Sequence, residues 1–582
     1  MCVWCTKSEI SDRLTAGFKP SRRQFMAYAA SASVALAGSS TVQAATSADI
    51  IFRNGTIYSM ATGQTRAEAL AIGAGRIMAV GSAAEVAALA NTNTRVIDLQ
   101  GRTVFPGFID PHNHTILGSV FEMLFINVGY AIYKTKTDVI AAMKAAVGKL
   151  PAGEWGAFAF YDNMLQGGDW TMADLDAVST NHPIVVCYAN GHAAAANRLG
   201  FERANITAST GTLPGGGYFG RTPNGQLDGM IYNPPAILRF VEIAVPKPNA
   251  AMISKAIGTY TAAAAAAGLT ALHEPGTLKP QWFEHIAQLS NSLPVRLSAS
   301  LNSDEIDAAK SYTSLGPSSK ARRFPGSRFS LYGVKFWTDG SNQLATAAQT
   351  KPYLNKQTRG SEVYTPGEMQ TICQKAKTGG WTILAHCQGD ASLDEYLNAM
   401  EAVYGAHPAS GLNRVEHATM ARQDQIDRMK KLGCEPSFMP DFIYLYGNAY
   451  RDTLFGPERG NYMIPFGAAA KAGIGFSLHS DNPAAGMPMS PLRLIQTAVT
   501  RRCVADGSII GPELCLTVDQ AIRGVTQYAA RHLGLGDEIG TIEKGKEADL
   551  TILESDPYTT DAEKLSAIKV SETWVSGQKK FG

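Results

Sequence analysis

From Asp49 to Thr103 the chain alternates apolar and polar residues in short runs, within "DIIFRNGTIYSM", "AEALAIGAGRIMAVG" and "TRVIDLQGRTVFPG", broken by Gly and Asn. Side chains two apart share one face of a strand, so this pattern predicts β-strands joined by tight turns. The rhythm returns near the end in "GTIEKGKEADLTILESDP" and "AIKVSETWVSGQKKFG". Two β-rich ends around a long middle predict one small sheet domain assembled from both, residues 45–103 with 540–582. The middle is patterned differently. Apolar runs recur in "TVFPGFIDPHNH", "GLTALHEPG", "LPVRLSASL", "FSLYGVKFWTDG", "WTILAHCQGD", "NRVEHATM", "GCEPSFMP" and "GIGFSLHSDNP". Helical stretches such as "ISKAIGTYTAAAAAAG", "GEMQTICQKAKTGG" and "ARQDQIDRMKKLG" fall between several of them. Strand and helix in alternation predict βαβ units and a parallel sheet. Eight such strands close a (β/α)8 TIM barrel, so the fold class is α/β, with the barrel over residues 104–539. The span exceeds a minimal barrel, and the excess at about 115–267 reads as an insertion, a lid or pocket wall.

Composition changes this picture little. Of 582 residues, 45% are hydrophobic and 18% charged, which describes a chain with a sizeable core. Lys and Arg total 52 against 50 Asp and Glu, so no strongly basic face argues for a nucleic-acid partner. The first 44 residues stand apart: Arg22 and Arg23 precede a short Ala-rich apolar segment ending at Val42-Gln43-Ala44. A paired arginine, a weakly apolar run and a small-x-small end predict a twin-arginine signal peptide, with the twin-arginine translocase as partner during export and a periplasmic or secreted destination. Cys2 and Cys5 lie in that leader; the other six cysteines match no zinc module and predict no disulfide framework.

The candidate chemistry sits at the strand ends. His112 and His114, two apart in "GFIDPHNHTI", point the same way in an extended strand and offer half of a typical metal site. Lys335 ends the fourth run, His386 and His417 the fifth and sixth, and Asp481 the eighth. A lysine is almost never fully buried unless paired, so Lys335 needs a reason. In a barrel the C-terminal strand ends form the active-site face, where all six would converge.

The ordered set resembles the amidohydrolase superfamily, in the branch of YtcJ-like and N-substituted formamide deformylase-like enzymes. "FPGFIDPHNH", "WTMADLDAV", "GHAAAAN", "DGSNQLATAA", "NRVEHA", "SDNP" and "GTIEKGKEADLTIL" carry the resemblance, which covers nearly the whole mature chain. It implies a metal-dependent hydrolase of an amide-type C–N bond, with a composite β-sandwich domain beside the barrel. His112 and His114 would hold one Zn2+, His386 and His417 a second, and Lys335 would bridge them as a carbamate. Asp481 would bind the first metal and serve as general base, then acid, for a metal-activated hydroxide. His192, before an alanine run that reads as helical, would contact a substrate oxygen, and His273 would orient substrate. His479 shares a face with Asp481, and Asp110 reads as structural support. Relatives often carry a carboxylate where this chain has Asn233, which touches specificity rather than the metal set. Phe438, Met439, Phe442, Tyr444, Tyr446 and Tyr450, with Trp170 and Trp337, favour a small apolar or aromatic amide substrate. Three rivals stay open: a mononuclear deaminase or cyclic amidohydrolase, a metal-dependent lyase or isomerase, and a non-catalytic periplasmic binding protein. Self-association is common in such barrels, and no segment proves an interface.

Overall fold

The structure is a computed structural model that describes residues 47–582 apart from 64–65, 214–215, 318, 355, 406–410 and 485. The leader expected over residues 1–44 lies outside the described residues. Among these, no helix is long and apolar enough to cross a membrane. The chain divides into two compact units, one containing His114–Thr259 and Asp481–Pro488, the other the residues up to Asn113 with Tyr260–Ser480 and Met489–Gly582.

The larger unit holds the barrel. Its eight strands are β1 (Phe108–Asp110), β2 (Leu269–Pro275), β3 (Arg296–Asn302), β4 (Phe329–Trp337), β5 (Ile383–Cys387), β6 (Asn413–His417), β7 (Cys434–Phe438) and β8 (Ser477–Leu478). They follow one another in sheet order, each pair parallel. Helices such as Pro280–Ser290, Pro366–Thr378, Asp390–Tyr404 and Gln423–Leu432 run between them, as parallel crossovers require. This is the (β/α)8 barrel the periodicity predicts. Between β8 and β1 a carboxylate bridges the seam: Asp110 accepts from the Ser480 N–H at 3.2 Å and its hydroxyl at 2.5 Å.

A bulge shapes β4. Ala299 pairs with Leu331 and Leu301 with Val334, so β4 carries one residue more than β3 over that interval. Gly333 makes it feasible, at φ +82° with a would-be Cβ only 2.2 Å from Leu384 Cδ1. An extra residue flips the face that later side chains take, which sets the aim of Lys335.

The same unit contains two further sheets. One joins Thr103–Pro106, Thr56–Tyr58 and Arg66–Ala67 to Leu550–Leu553, Val570–Val575 and Gln578–Phe581; the other has Ile50–Arg53, Ala69–Gly73, Arg76–Gly81 and Arg95–Asp98. Phe52, Leu70 and Ile72 from one pack with Ile57, Val104, Leu550, Ile552 and Trp574 from the other.

The smaller unit is built on a six-stranded sheet running from Tyr218–Arg221 through Leu227–Tyr232, Ala193–Ala196, Ile184–Tyr188 and Gly156–Tyr161 to Ile126–Asn127. Its third member corrects the sequence reading. "AAAA" after His192 is a buried strand, not a helix, bonded antiparallel on both edges. Alanine's helix preference, under about 1 kcal/mol per residue, yields to pairing on two sides and to packing of Ala193 and Ala195 against Trp170, Tyr188 and Met230. Trp170 is thereby a core residue of this unit rather than a pocket wall.

Candidate metal centre

The C-terminal ends of the strands gather imidazoles. His112 follows β1, His386 lies near the end of β5, His417 ends β6 and His479 follows β8. Ring centroids are 4.9 Å apart for His112 and His417, 4.7 Å for His386 and His417, and 4.6 Å for His112 and His479. His417 and Asp481 take positive φ values, 68° and 52°. Such backbone conformations are uncommon outside glycine and cluster at functional sites. Asp481 Oδ1 stands 3.2 Å from His114 Nε2. His112, His114 and Asp481 form a buried trio whose ligand atoms lie within 4.8 Å of one another. Two imidazoles and a carboxylate are a donor set that suits a divalent transition metal such as zinc.

Two of these imidazoles, His112 and His386, are oriented from behind. His112 Nδ1 contacts Glu416 Oε2, and an ionised carboxylate only accepts, so the proton sits on Nδ1 and Nε2 keeps its lone pair. Glu416 is gripped by Arg414, whose Nε and Nη2 reach Oε1 and Oε2 at 2.7 Å each. Burial works to raise the Glu416 carboxyl, but the Arg414 charge and the imidazole hydrogen bond hold it well below its ordinary value. His386 Nε2 lies 3.1 Å from the Gly340 carbonyl and 3.5 Å from Asp339 Oδ1. Asp339 accepts from the Gln388, Gly389 and Ala348 amides and the Ser392 hydroxyl; burial still pushes its carboxyl up to about 6. Asp110, beyond the Ser480 contacts, accepts from Asn113 Nδ2 at 3.0 Å, and burial raises it.

Lys335 is fully buried, with Nζ 5.6 Å from the Trp337 ring centroid. Gly276, at φ +80°, passes so near that an added Cβ would stand 2.6 Å from Lys335 Cβ. His273, on β2, turns Nδ1 toward Ser298 Oγ at 3.0 Å and leaves Nε2 buried with no hydrogen-bond partner among the described residues. Burial, with Arg414 nearby, drives its pKa well down, so the ring is neutral. His192 is a buried residue of the smaller unit, its amide held by Asn190 Oδ1 at 2.8 Å. The aromatic segment after β7 forms the helix Asp441–Ala449, and its Phe442 ring lies 6.4 Å from His417.

Sequence reasoning passed over Arg414, Glu416 and Asp339. The signal was present in "NRVEH": two charged residues at alternate positions share one face of a strand that is buried throughout. The argument that singled out Lys335 applies equally to them.

A sequence profile of the Amidohydrolase family matches residues 95–579. The chain belongs to the amidohydrolase family. An N-substituted formamide deformylase of Arthrobacter pascens is 26% identical, over 92% of this chain and 98% of its own length. The putative amidohydrolase YtcJ of Bacillus subtilis (strain 168) is 25% identical over 91% and 98% respectively. A solved structure of an uncharacterized metal-dependent hydrolase from Pyrococcus horikoshii OT3 superposes with a TM-score of 0.67 at 23% identity, covering 88% of this chain and 99% of that one. This amidohydrolase is a metal-dependent enzyme that hydrolyses carbon–nitrogen bonds of small molecules.

Proposed function

We propose that the enzyme hydrolyses a small, neutral amide with an apolar or aromatic substituent, of the N-substituted formamide type, to a carboxylate and an amine. The observation that carries this reading is the buried trio of His112, His114 and Asp481 beside the imidazoles of His386 and His417. The first three would hold one zinc ion; His386 and His417 would hold a second, with Lys335 joining the two as a carbamate. Bound there, a divalent cation supplies Lewis acidity that polarises a carbonyl and lowers the pKa of water. The chain supplies the rest. Asp481 takes the proton from the attacking water on its carboxylate and delivers it to the leaving nitrogen, so water and amide give acid and amine in balance. Trp337, Phe442 and Tyr446 are aromatic and nearly buried, an apolar surround in which the substrate substituent would be desolvated. His273 would orient the substrate, and His192 would contact its oxygen. Export through the twin-arginine pathway to the periplasm, on the strength of "SRRQFMAYAASASVALAG", completes the reading.

The test pairs metal analysis with turnover on the chain matured without its leader. N-benzylformamide should release formate, with two zinc ions per chain falling to one or none in Lys335→Ala. One zinc in both proteins would sink the bridge and favour the single-metal reading. No turnover across a panel of formamides and longer amides at full metal occupancy would remove the amide assignment.

A further inference from the structure

We propose that Glu416 and Arg414 are positioning residues for His112: they fix its tautomer and set how tightly it holds a metal. The inference rests on the reading of His112 as a metal ligand. All three side chains are fully buried, and the pair lies on β6 with His112 following β1. Glu416 Oε2 accepts from His112 Nδ1, which leaves Nε2 as the only ring nitrogen with a lone pair. Arg414 binds the same carboxylate at two points and donates through Nη2 to the Pro111 carbonyl at 2.9 Å, one residue before His112. Its remaining arm donates to the His532 carbonyl at 3.0 Å. The guanidinium therefore fixes the His112 ring, through Glu416, and the backbone just before it at once, from β6, while anchoring to the helix Gln527–His532.

The arrangement is costly to build for stability alone. Two charges are removed from water, and a buried ion pair is often replaceable by apolar side chains without loss. A carboxylate that accepts from a ligand's far nitrogen, by contrast, raises the ligand's basicity and locks its orientation. Arg414 has a second effect: by neutralising Glu416 it keeps the carboxylate from competing for the cation as a ligand in its own right.

Zinc affinity is measured by competition with a chromogenic chelator on the mature chain, alongside thermal melts of metal-free protein. Glu416→Gln keeps the reach and loses the charge, and affinity should fall about 10–100-fold. Glu416→Asp keeps the charge and should hold more of the affinity than Glu416→Gln. Either single change leaves Arg414 unbalanced and could unfold the chain. The double variant Arg414→Met/Glu416→Gln removes both charges and should melt near the wild type while still binding zinc weakly. A double variant with wild-type zinc affinity would overturn the proposal. His112→Ala separates the two claims. If it leaves zinc affinity unchanged, His112 is no ligand; if it loses zinc while the Glu416 variants do not, only the positioning role fails. Nitrogen NMR of the zinc-loaded wild type with labelled histidine gives an answer independent of any variant's folding. The His112 proton belongs on Nδ1, and finding it on Nε2 would refute the assignment.

Discussion

Among the arginines buried in the barrel unit, Arg414 and Arg296 are both held by carboxylate. Arg414 grips Glu416 at two points on β6. Arg296, at the start of β3, donates to Asp549 at 2.6 and 3.0 Å, to Glu547 at 2.9 Å and to the Ser576 hydroxyl at 2.6 Å. As local chemistry the two look alike. They part at the next bond. Beyond Glu416 stands the imidazole of His112; beyond Asp549 stands the Ser576 amide, at 2.8 Å. One network ends on a metal-ligand type of side chain and the other on backbone that returns from the C-terminus. A buried ion pair thus says little about its purpose until its outer partner is known.

The comparison breaks most sharply on metal. Stripping the enzyme with a strong chelator should abolish amide hydrolysis, at least about a thousand-fold, and zinc should restore it. Asp481→Asn should fall about 10²–10⁴-fold in kcat without matching loss of thermal stability. Arg296→Met tests the other side. It leaves Asp549 without its guanidinium, while Glu547 keeps Arg76, and should cost about 3–5 kcal/mol in urea unfolding, with zinc per folded chain unchanged. Lost zinc in that variant would mean that the two networks are one. Gly333→Ala should cost about 1–3 kcal/mol, since the added methyl meets Leu384 and the backbone is left-handed there, and it should disturb zinc content through Lys335.

The smallest effect is on acid stability. Glu547 is partly buried, which works to raise it, but the Arg296 charge, the Ser576 hydrogen bond and Arg76 hold its pKa below the ordinary 4.5. A depressed carboxyl lends stability that is complete above about pH 4.5 and lost as the pH falls through its folded value. Glu547→Gln should accordingly flatten the decline of the melting temperature below pH 4.5. An unchanged slope would place the acid-sensitive step elsewhere.

Much of this was legible in the chain. The eight apolar runs are the eight barrel strands, because a parallel sheet buried on both faces reads as near-continuous apolar sequence. His112, His386 and His417 were marked because a polar group ending such a run is conspicuous. Arg414 and Glu416 went unmarked because they sit inside the run rather than at its end, and the imidazole that gives the pair its purpose lies 304 residues from Glu416. The alanines after His192 misled for a related reason: their intrinsic preference is local, whereas the strands on either side of them are not. The bulge at Gly333 left no trace beyond one glycine.

The sheet that combines both chain ends has a consequence for the order of assembly. Thr551 hydrogen-bonds the Phe108 amide across 443 residues of sequence, and Leu550–Leu553 is the strand between the two groups of that sheet. On the ribosome Thr56–Tyr58 and Thr103–Pro106 emerge early, yet one edge of Thr103–Pro106 waits for a partner made after the whole barrel. Pairings of such separation form late and slowly, and an unpaired apolar edge invites aggregation meanwhile. The segment that closes the sheet is therefore made after the whole barrel, and chains interrupted before Leu550 should be the ones that chaperones hold.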